Sequence, residues 1–212
     1  MVKVKICGLS TPESVETAIN AGASFVGLVF FAKSPRNISL QVAKDLANQA
    51  RGRAKSVALI VDEGNATIQT INETVNPDYF QAHGNETPQR IGEIAKLTAK
   101  PVIKAIKVAG AADILAAASY DGRAAFILFD AKAPVTLLNA LPGGNGIAFD
   151  WTLVAKSTGF MLSGGLNPEN VATAIEVTGA PMVDVSSGVE SAPGFKDLGL
   201  IRKFIEAAFA AR

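Results

Sequence analysis

The chain has 212 residues, 49% of them hydrophobic and only 18% charged, which suits one large α/β domain with a sizeable core and no linker. Its formal net charge of +1 removes any electrostatic case for nucleic acid or an anionic membrane, so an anionic partner has to be recognised locally. A single cysteine excludes an internal disulfide and suits a reducing, cytoplasmic setting, while one histidine leaves no zinc-like cluster and sets aside a metal-dependent sugar-phosphate epimerase.

The opening Met1-Val2-Lys3-Val4-Lys5 alternates and soon meets Gly8, so it reads as neither a signal core nor a spanning segment. Val2 to Ile6 predicts a first strand, and Thr11-Pro12-Glu13 starts an alanine-rich helix that stops at Gly22. Phe25 to Phe30 is a second strand, followed by a loop through Ser34-Pro35-Arg36 and a helix from about Ser39. Val57 to Val61 predicts a third strand and Ala66 to Val75 a helix. Tyr79 to Ala82 is a short fourth strand ending at His83-Gly84, with a helix from Thr87-Pro88. Val102 to Ile106, a helix over Ala111 to Ala118, and Ala124 to Phe129 ending at Asp130 complete six strands. A long loop containing Gly143-Gly144-Asn145-Gly146 leads to a helix over Trp151 to Ser157. Phe160-Met161-Leu162 and Pro181-Met182-Val183 are strands seven and eight, and Leu198 to Ala211 is a closing amphipathic helix.

Both of the last strands run into turns of small residues. Ser163-Gly164-Gly165 follows the seventh, with Asn167 expected to cap a helix whose first position is Pro168. Ser186-Ser187-Gly188 follows the eighth. Such turns let bare backbone N–H groups face a ligand, and two of them on adjacent strands would surround a phosphate. The blander reading is two surface turns that happen to be rich in Gly and Ser.

Eight apolar strands alternating with helices point to a single-domain (β/α)8 TIM barrel spanning residues 1–212, whose phosphate site commonly lies in the loops after strands seven and eight. The rival is an open doubly wound sheet, against which there is no Gly-x-Gly-x-x-Gly after the first strand. In a barrel, Cys7, the Arg36 loop, His83, Asp130, Gly164 and Ser186 converge on one mouth.

The runs Lys5-Ile6-Cys7-Gly8-Leu9, Ser34-Pro35-Arg36, His83-Gly84-Asn85-Glu86, Phe149-Asp150-Trp151, Gly164-Gly165-Leu166-Asn167-Pro168-Glu169-Asn170-Val171 and Asp184-Val185-Ser186-Ser187-Gly188-Val189-Glu190 resemble phosphoribosylanthranilate isomerase over nearly the whole chain. The resemblance implies a (β/α)8 barrel that performs an Amadori rearrangement in tryptophan biosynthesis, without metal or organic cofactor. It implies Cys7 as general base, Asp130 as general acid and Arg36 as the residue meeting the anthranilate carboxylate. His83 either lines the anthranilate pocket or is a histidine satisfied by a neighbouring backbone group. Gly164, Gly165, Ser186, Ser187 and Gly188 are the expected phosphate contacts, and the partner is a small phosphosugar. Where the family has Gly-Gly-Thr-Gly in the loop after strand six, this chain has Asn145 in place of the threonine.

Strand parity adds an expectation of its own. Val2, Val4 and Ile6 share one face and Lys3, Lys5 and Cys7 the other, while Asp184 and Ser186 alternate with Val183 and Val185. If the apolar sets face the helices, Lys5 and Asp184 point inward from neighbouring strands and must pair. Two other functions compete: an isomerase of histidine synthesis, expected to carry aspartate where Cys7 stands, and a non-catalytic phosphosugar-binding barrel. A monomer and a homodimer joined through the final helix and Phe30-Phe31 are equally consistent with the sequence.

Overall fold

The computed structural model describes residues 1–132, 143, 144, 146, 148–155 and 157–211. Eight parallel strands, β1 (Lys3–Cys7), β2 (Phe25–Phe30), β3 (Lys55–Ile60), β4 (Tyr79–Ala82), β5 (Val102–Val108), β6 (Phe126–Ala131), β7 (Met161–Leu162) and β8 (Met182–Val185), pair in sequence order and close into a barrel. Around it run α1 (Pro12–Ala21), α2 (Leu40–Ala50), α3 (Asn65–Val75), α4 (Pro88–Thr98), α5 (Ala111–Ala116), α6 (Val171–Thr178) and α7 (Leu198–Ala210). No helix among the described residues is long and apolar enough to cross a membrane.

Local chemistry starts several of these helices where the sequence indicates. Thr11 accepts from the Ser14 N–H with Pro12 in the first turn, Ser39 accepts from Val42 N–H, and Thr87 accepts from Arg90 N–H ahead of α4. Each cap satisfies an N–H that the first helical turn leaves without a partner. Asp197 does the same for α7 through the Leu200 N–H at 2.9 Å.

Elsewhere tertiary pairing or local competition shifts the expected bounds. β3 begins two residues early because Lys55 pairs with Phe25, and β5 continues to Val108 because Lys107 and Val108 pair with Asp130 and Ala131. Asn167 does not cap a helix beginning at Pro168. Its side chain accepts from the Glu169 and Asn170 N–H groups in a separate turn, and α6 starts at Val171. In place of the helix expected from Trp151, a 3-10 turn covers Trp151–Val154, with Asp150 accepting from the Thr152 N–H. Ala111–Ala116 gives way to 3-10 geometry over Ala117–Tyr120. An unforeseen antiparallel hairpin, β9 (Glu190–Ala192) and β10 (Phe195–Lys196), follows the eighth strand. Phe30 is buried under the helical shell and Phe31, half-buried, lines the pocket at the strand ends, while α7 leaves Leu198 and Phe209 exposed.

Alternation along the strands builds two separate interiors. Val4, Ile6, Val26, Leu28, Ala58, Ile60, Phe80, Leu162, Val183 and Val185 pack outward against the helices. Inside the barrel, Phe25, Val57, Ile103, Leu128 and Met161, flanked by Tyr79, Phe126 and Met182, form an apolar plug at the lower end. Lys5 and Asp184, paired in register across the seam between β1 and β8, point into the barrel. Their Nζ and Oδ1 lie 2.8 Å apart with the lysine fully buried, and Ser163 Oγ donates to the other carboxylate oxygen at 3.1 Å. Burial works against the Lys5 charge, but Asp184 and then Cys7 outweigh it and hold the ammonium above its ordinary range.

Removing one partner of such a pair strands a charge in the interior. Asp184→Leu is expected to cost about 3–5 kcal/mol in urea unfolding, and the double variant Lys5→Met/Asp184→Leu to recover most of that loss. A single variant close to the parent in stability would show that the pair is not needed to hold the seam.

Candidate active site

The C-terminal ends of the strands deliver the polar residues to one place. Cys7 ends β1, Arg36 sits in the loop after β2, His83 follows β4, Asp130 lies near the end of β6, and Ser163-Gly164-Gly165 and Ser186-Ser187 leave β7 and β8. All of them line a single pocket, together with Val29, Phe31, Leu59, Val61 and Asp184. Gly188 is not in that lining. It sits in the 3-10 turn Ser187–Val189, where a Cβ would run into the Leu166 carbonyl, so it locks the eighth-strand turn against the seventh.

Glycines set the close approaches. A Cβ on Gly27 would come within 2.8 Å of Cys7 Sγ, so the neighbouring strand leaves the thiol its room. Gly164 has φ +86, and a Cβ there would meet the Ala131 nitrogen at 2.5 Å and Asp130 Oδ1 at 3.1 Å. The seventh-strand turn therefore lies directly against the carboxylate. Gly143 and Gly144 cover the same region, with ideal Cβ positions 2.7 Å from Asp130 Oδ2 and 2.8 Å from Arg36 Nη1. Asn145, the substituted position of that loop, lies outside the described residues.

Arg36 is held rather than free. Its Nε and Nη2 donate to the two oxygens of Glu190 at 2.7 and 2.8 Å, a bidentate pair buried on both sides. Lys196 Nζ donates to Glu190 Oε1 at 2.6 Å and to the Ser186 carbonyl at 2.9 Å. Burial penalises the Glu190 charge, yet Arg36 and Lys196 hold that carboxyl below its usual range; burial pulls the Lys196 ammonium down against the pull of Glu190. The sequence gives neither Glu190 nor Lys196 a task, since only the β9–β10 hairpin brings them to Arg36. Nη2 also donates to the Gly144 carbonyl at 3.4 Å, and the guanidinium as a whole lines the pocket, where its planar set of donors suits a second carboxylate.

His83 is satisfied by side chains and not by a backbone group. Gln81 Nε2 lies 2.9 Å from its Nδ1 and Asp130 Oδ2 lies 3.0 Å from its Nε2. Below it, buried Glu86 accepts from the Gly84 N–H and pairs with Lys104 at 2.8 Å, fixing the turn that carries the ring. Glu86 is held below the usual carboxylate range because Lys104 and two backbone donors outweigh its burial. Among the described residues no three His, Cys, Asp or Glu side chains are grouped as a metal ion would need.

Residues 4–207 match the family described as N-(5'phosphoribosyl)anthranilate (PRA) isomerase. A Rhodopseudomonas palustris N-(5'-phosphoribosyl)anthranilate isomerase is 52% identical over 210 residues, covering 98% of this chain and 95% of that protein. The crystal structure of phosphoribosyl anthranilate isomerase from Thermotoga maritima is 37% identical with a TM-score of 0.88 and 99% coverage of both chains. Another structure, 35% identical with a TM-score of 0.85 and the same coverage, is a phosphoribosyl anthranilate isomerase complexed with reduced 1-(o-carboxyphenylamino)-1-deoxyribulose 5-phosphate.

Burial pushes the Cys7 thiol up; Lys5 pulls it down and Asp184 pushes it up again, leaving it above its ordinary value. Because only the thiolate is reactive, iodoacetamide labelling of this sole cysteine, followed by mass spectrometry across pH, should give a midpoint above that of a free cysteine. A midpoint at or below the free value would contradict this electrostatic picture.

Proposed function

The chain belongs to the N-(5'-phosphoribosyl)anthranilate isomerase family, and from that premise we propose that Cys7 and Asp130 carry its two proton transfers. The enzyme converts N-(5-phosphoribosyl)anthranilate to 1-(2-carboxyphenylamino)-1-deoxyribulose 5-phosphate, a step of tryptophan biosynthesis. Asp130 gives its proton to the furanose ring oxygen as the bond from that oxygen to C1 breaks. The amine lone pair moves in to form a protonated Schiff base at C1, and the ring oxygen leaves as a hydroxyl. The Cys7 thiolate then takes the C2 proton, whose electrons shift toward the cationic nitrogen to give the enolamine, the enol form of the product. A thiol held high by burial becomes an anion more readily once that cation is alongside it.

The observation that carries this reading is that Cys7 and Asp130, from strands far apart in sequence, face one pocket whose rim is built from Gly164, Gly165, Ser186 and Ser187. These small residues suit a phosphate held by main-chain N–H groups at the seventh and eighth strands. Gly188 supports that rim by its packing against Leu166. Arg36, oriented by Glu190, meets the anthranilate carboxylate. A small phosphosugar is thus the partner, anchored at both ends while its C1–C2 segment lies between thiol and carboxyl.

Turnover is followed by the loss of anthranilate-type fluorescence from the substrate. Cys7→Ala and Asp130→Asn should each lower kcat by roughly 10²–10⁴ with unfolding midpoints near the parent's. Near-parental kcat in both would overturn the assignment. Arg36→Met should act chiefly on KM, and an unchanged KM would remove Arg36 from substrate binding.

A further inference from the structure

Beside Asp130 lies a buried pair that the two proton transfers leave without a task. Gln81 and His83 stand two residues apart on the inward side of β4 and its exit, with exposures of 0% and 5%. From Gln81 Nε2 to His83 Nδ1 is 2.9 Å, and from His83 Nε2 to Asp130 Oδ2 is 3.0 Å. The other oxygen of Asp130, Oδ1, accepts from the Ala131 N–H at 2.9 Å. Three side chains therefore run in a row from the barrel interior to the acid.

Which way these bonds point follows from counting hydrogens. Gln81 Oε1 is buried with no hydrogen-bond partner. As placed, the amide spends one N–H on Nδ1 and leaves Oε1 and its second N–H without a partner among the described residues; turned over, Oε1 would take a ring N–H and both amide N–H groups would be left over, one stranded donor more. A buried donor without a partner is the rarer and costlier case. Gln81 thus donates to Nδ1, which then carries no hydrogen, and the ring bears its single hydrogen on Nε2, donating to Asp130.

That tautomer decides where the acid can keep its proton. A bare Nε2 at this distance would draw the Asp130 carboxyl hydrogen into an O–H···N bond directed at His83 and away from the substrate. An Nε2–H blocks that site, and the Ala131 N–H blocks one on Oδ1, so the acidic hydrogen is left facing the pocket that Asp130 lines. We propose that Gln81 is a positioning residue which, through the tautomer of His83, keeps the proton of Asp130 turned toward the substrate. The inference rests on Asp130 being the general acid.

The chain has one histidine, so ring ¹⁵N labelling reports a single imidazole. In the intact wild-type protein the expected spectrum has Nδ1 as the bare nitrogen and Nε2 as the N–H. Gln81→Glu, studied at a pH where its carboxyl is ionised, offers Nδ1 an acceptor only and should reverse that pattern, lowering kcat on the order of ten- to a hundredfold with KM little changed. Gln81→Met, which keeps bulk and removes the donor, should give mixed tautomers and a smaller kcat loss, and it serves where the glutamate variant does not fold. A wild-type ring protonated on Nδ1, or a reversed tautomer with parental kcat, would overturn the inference. Should Asp130→Asn retain turnover, the acid assignment itself fails; an inactive Asp130→Asn beside a fully active Gln81→Glu with reversed tautomer defeats the role of Gln81 alone.

Discussion

Closing a parallel sheet on itself brings the first strand beside the last, and in this chain the inward position at that seam is a lysine against an aspartate. Lys5 and Asp184 meet at 2.8 Å in a place where neither charge could stand alone. The pair fixes register at the seam, because a slip of one residue would turn Val4 or Val183 inward and send a charge into the helical shell. It also forms the floor on which Cys7, one inward position above Lys5, presents its thiol. Below the pair lies the apolar plug, and above it Cys7 packs with Val29 and Leu59 at the mouth.

Above that floor the mouth is assembled by contacts that each fix one group. The Lys104–Glu86 pair holds the turn carrying His83, the Glu190 carboxylate orients Arg36, and the turn at Gly164 lies against Asp130. Strand ends supply the thiol, the carboxyl and the small-residue rim, while the hairpin after the eighth strand supplies the partners of Arg36. Rigid elements thus place the thiol and the carboxyl to which we assign the two proton transfers, in keeping with the precision that such transfers demand. The barrel wall excludes water from one side of the pocket, which strengthens each of these charge pairs.

Much of this was legible in the chain because it follows from period and local chemistry. The bounds of β2 and β4 fall at the residues that apolar patterning and turn signals mark, and the caps at Thr11, Ser39 and Thr87 sit where a hydroxyl precedes a helical run. The inward pairing of Lys5 with Asp184 followed from alternation once a closed barrel set the first strand beside the eighth. What was not legible depends on contacts between distant residues. Glu190 reaches Arg36 across 154 positions and only through a hairpin with no strong strand pattern. Gln81 looked like an unremarkable polar residue in a short strand until its amide was found against the ring of His83. The early start expected for α6 failed because Asn167 closes a turn of its own, and the helix expected at Trp151 tightened to 3-10 geometry under the Asp150 cap.

The placement of one sugar between a thiol and a carboxyl is tested most directly by a crystal structure of this protein with the reduced product analogue. The phosphate should lie on the main-chain N–H groups of the turns at Gly164-Gly165 and Ser186-Ser187, with C2 beside Cys7 Sγ, O4 beside Asp130 and the carboxylate on Arg36. A ligand bound in the reverse direction, or with C2 remote from the thiol, would contradict the account.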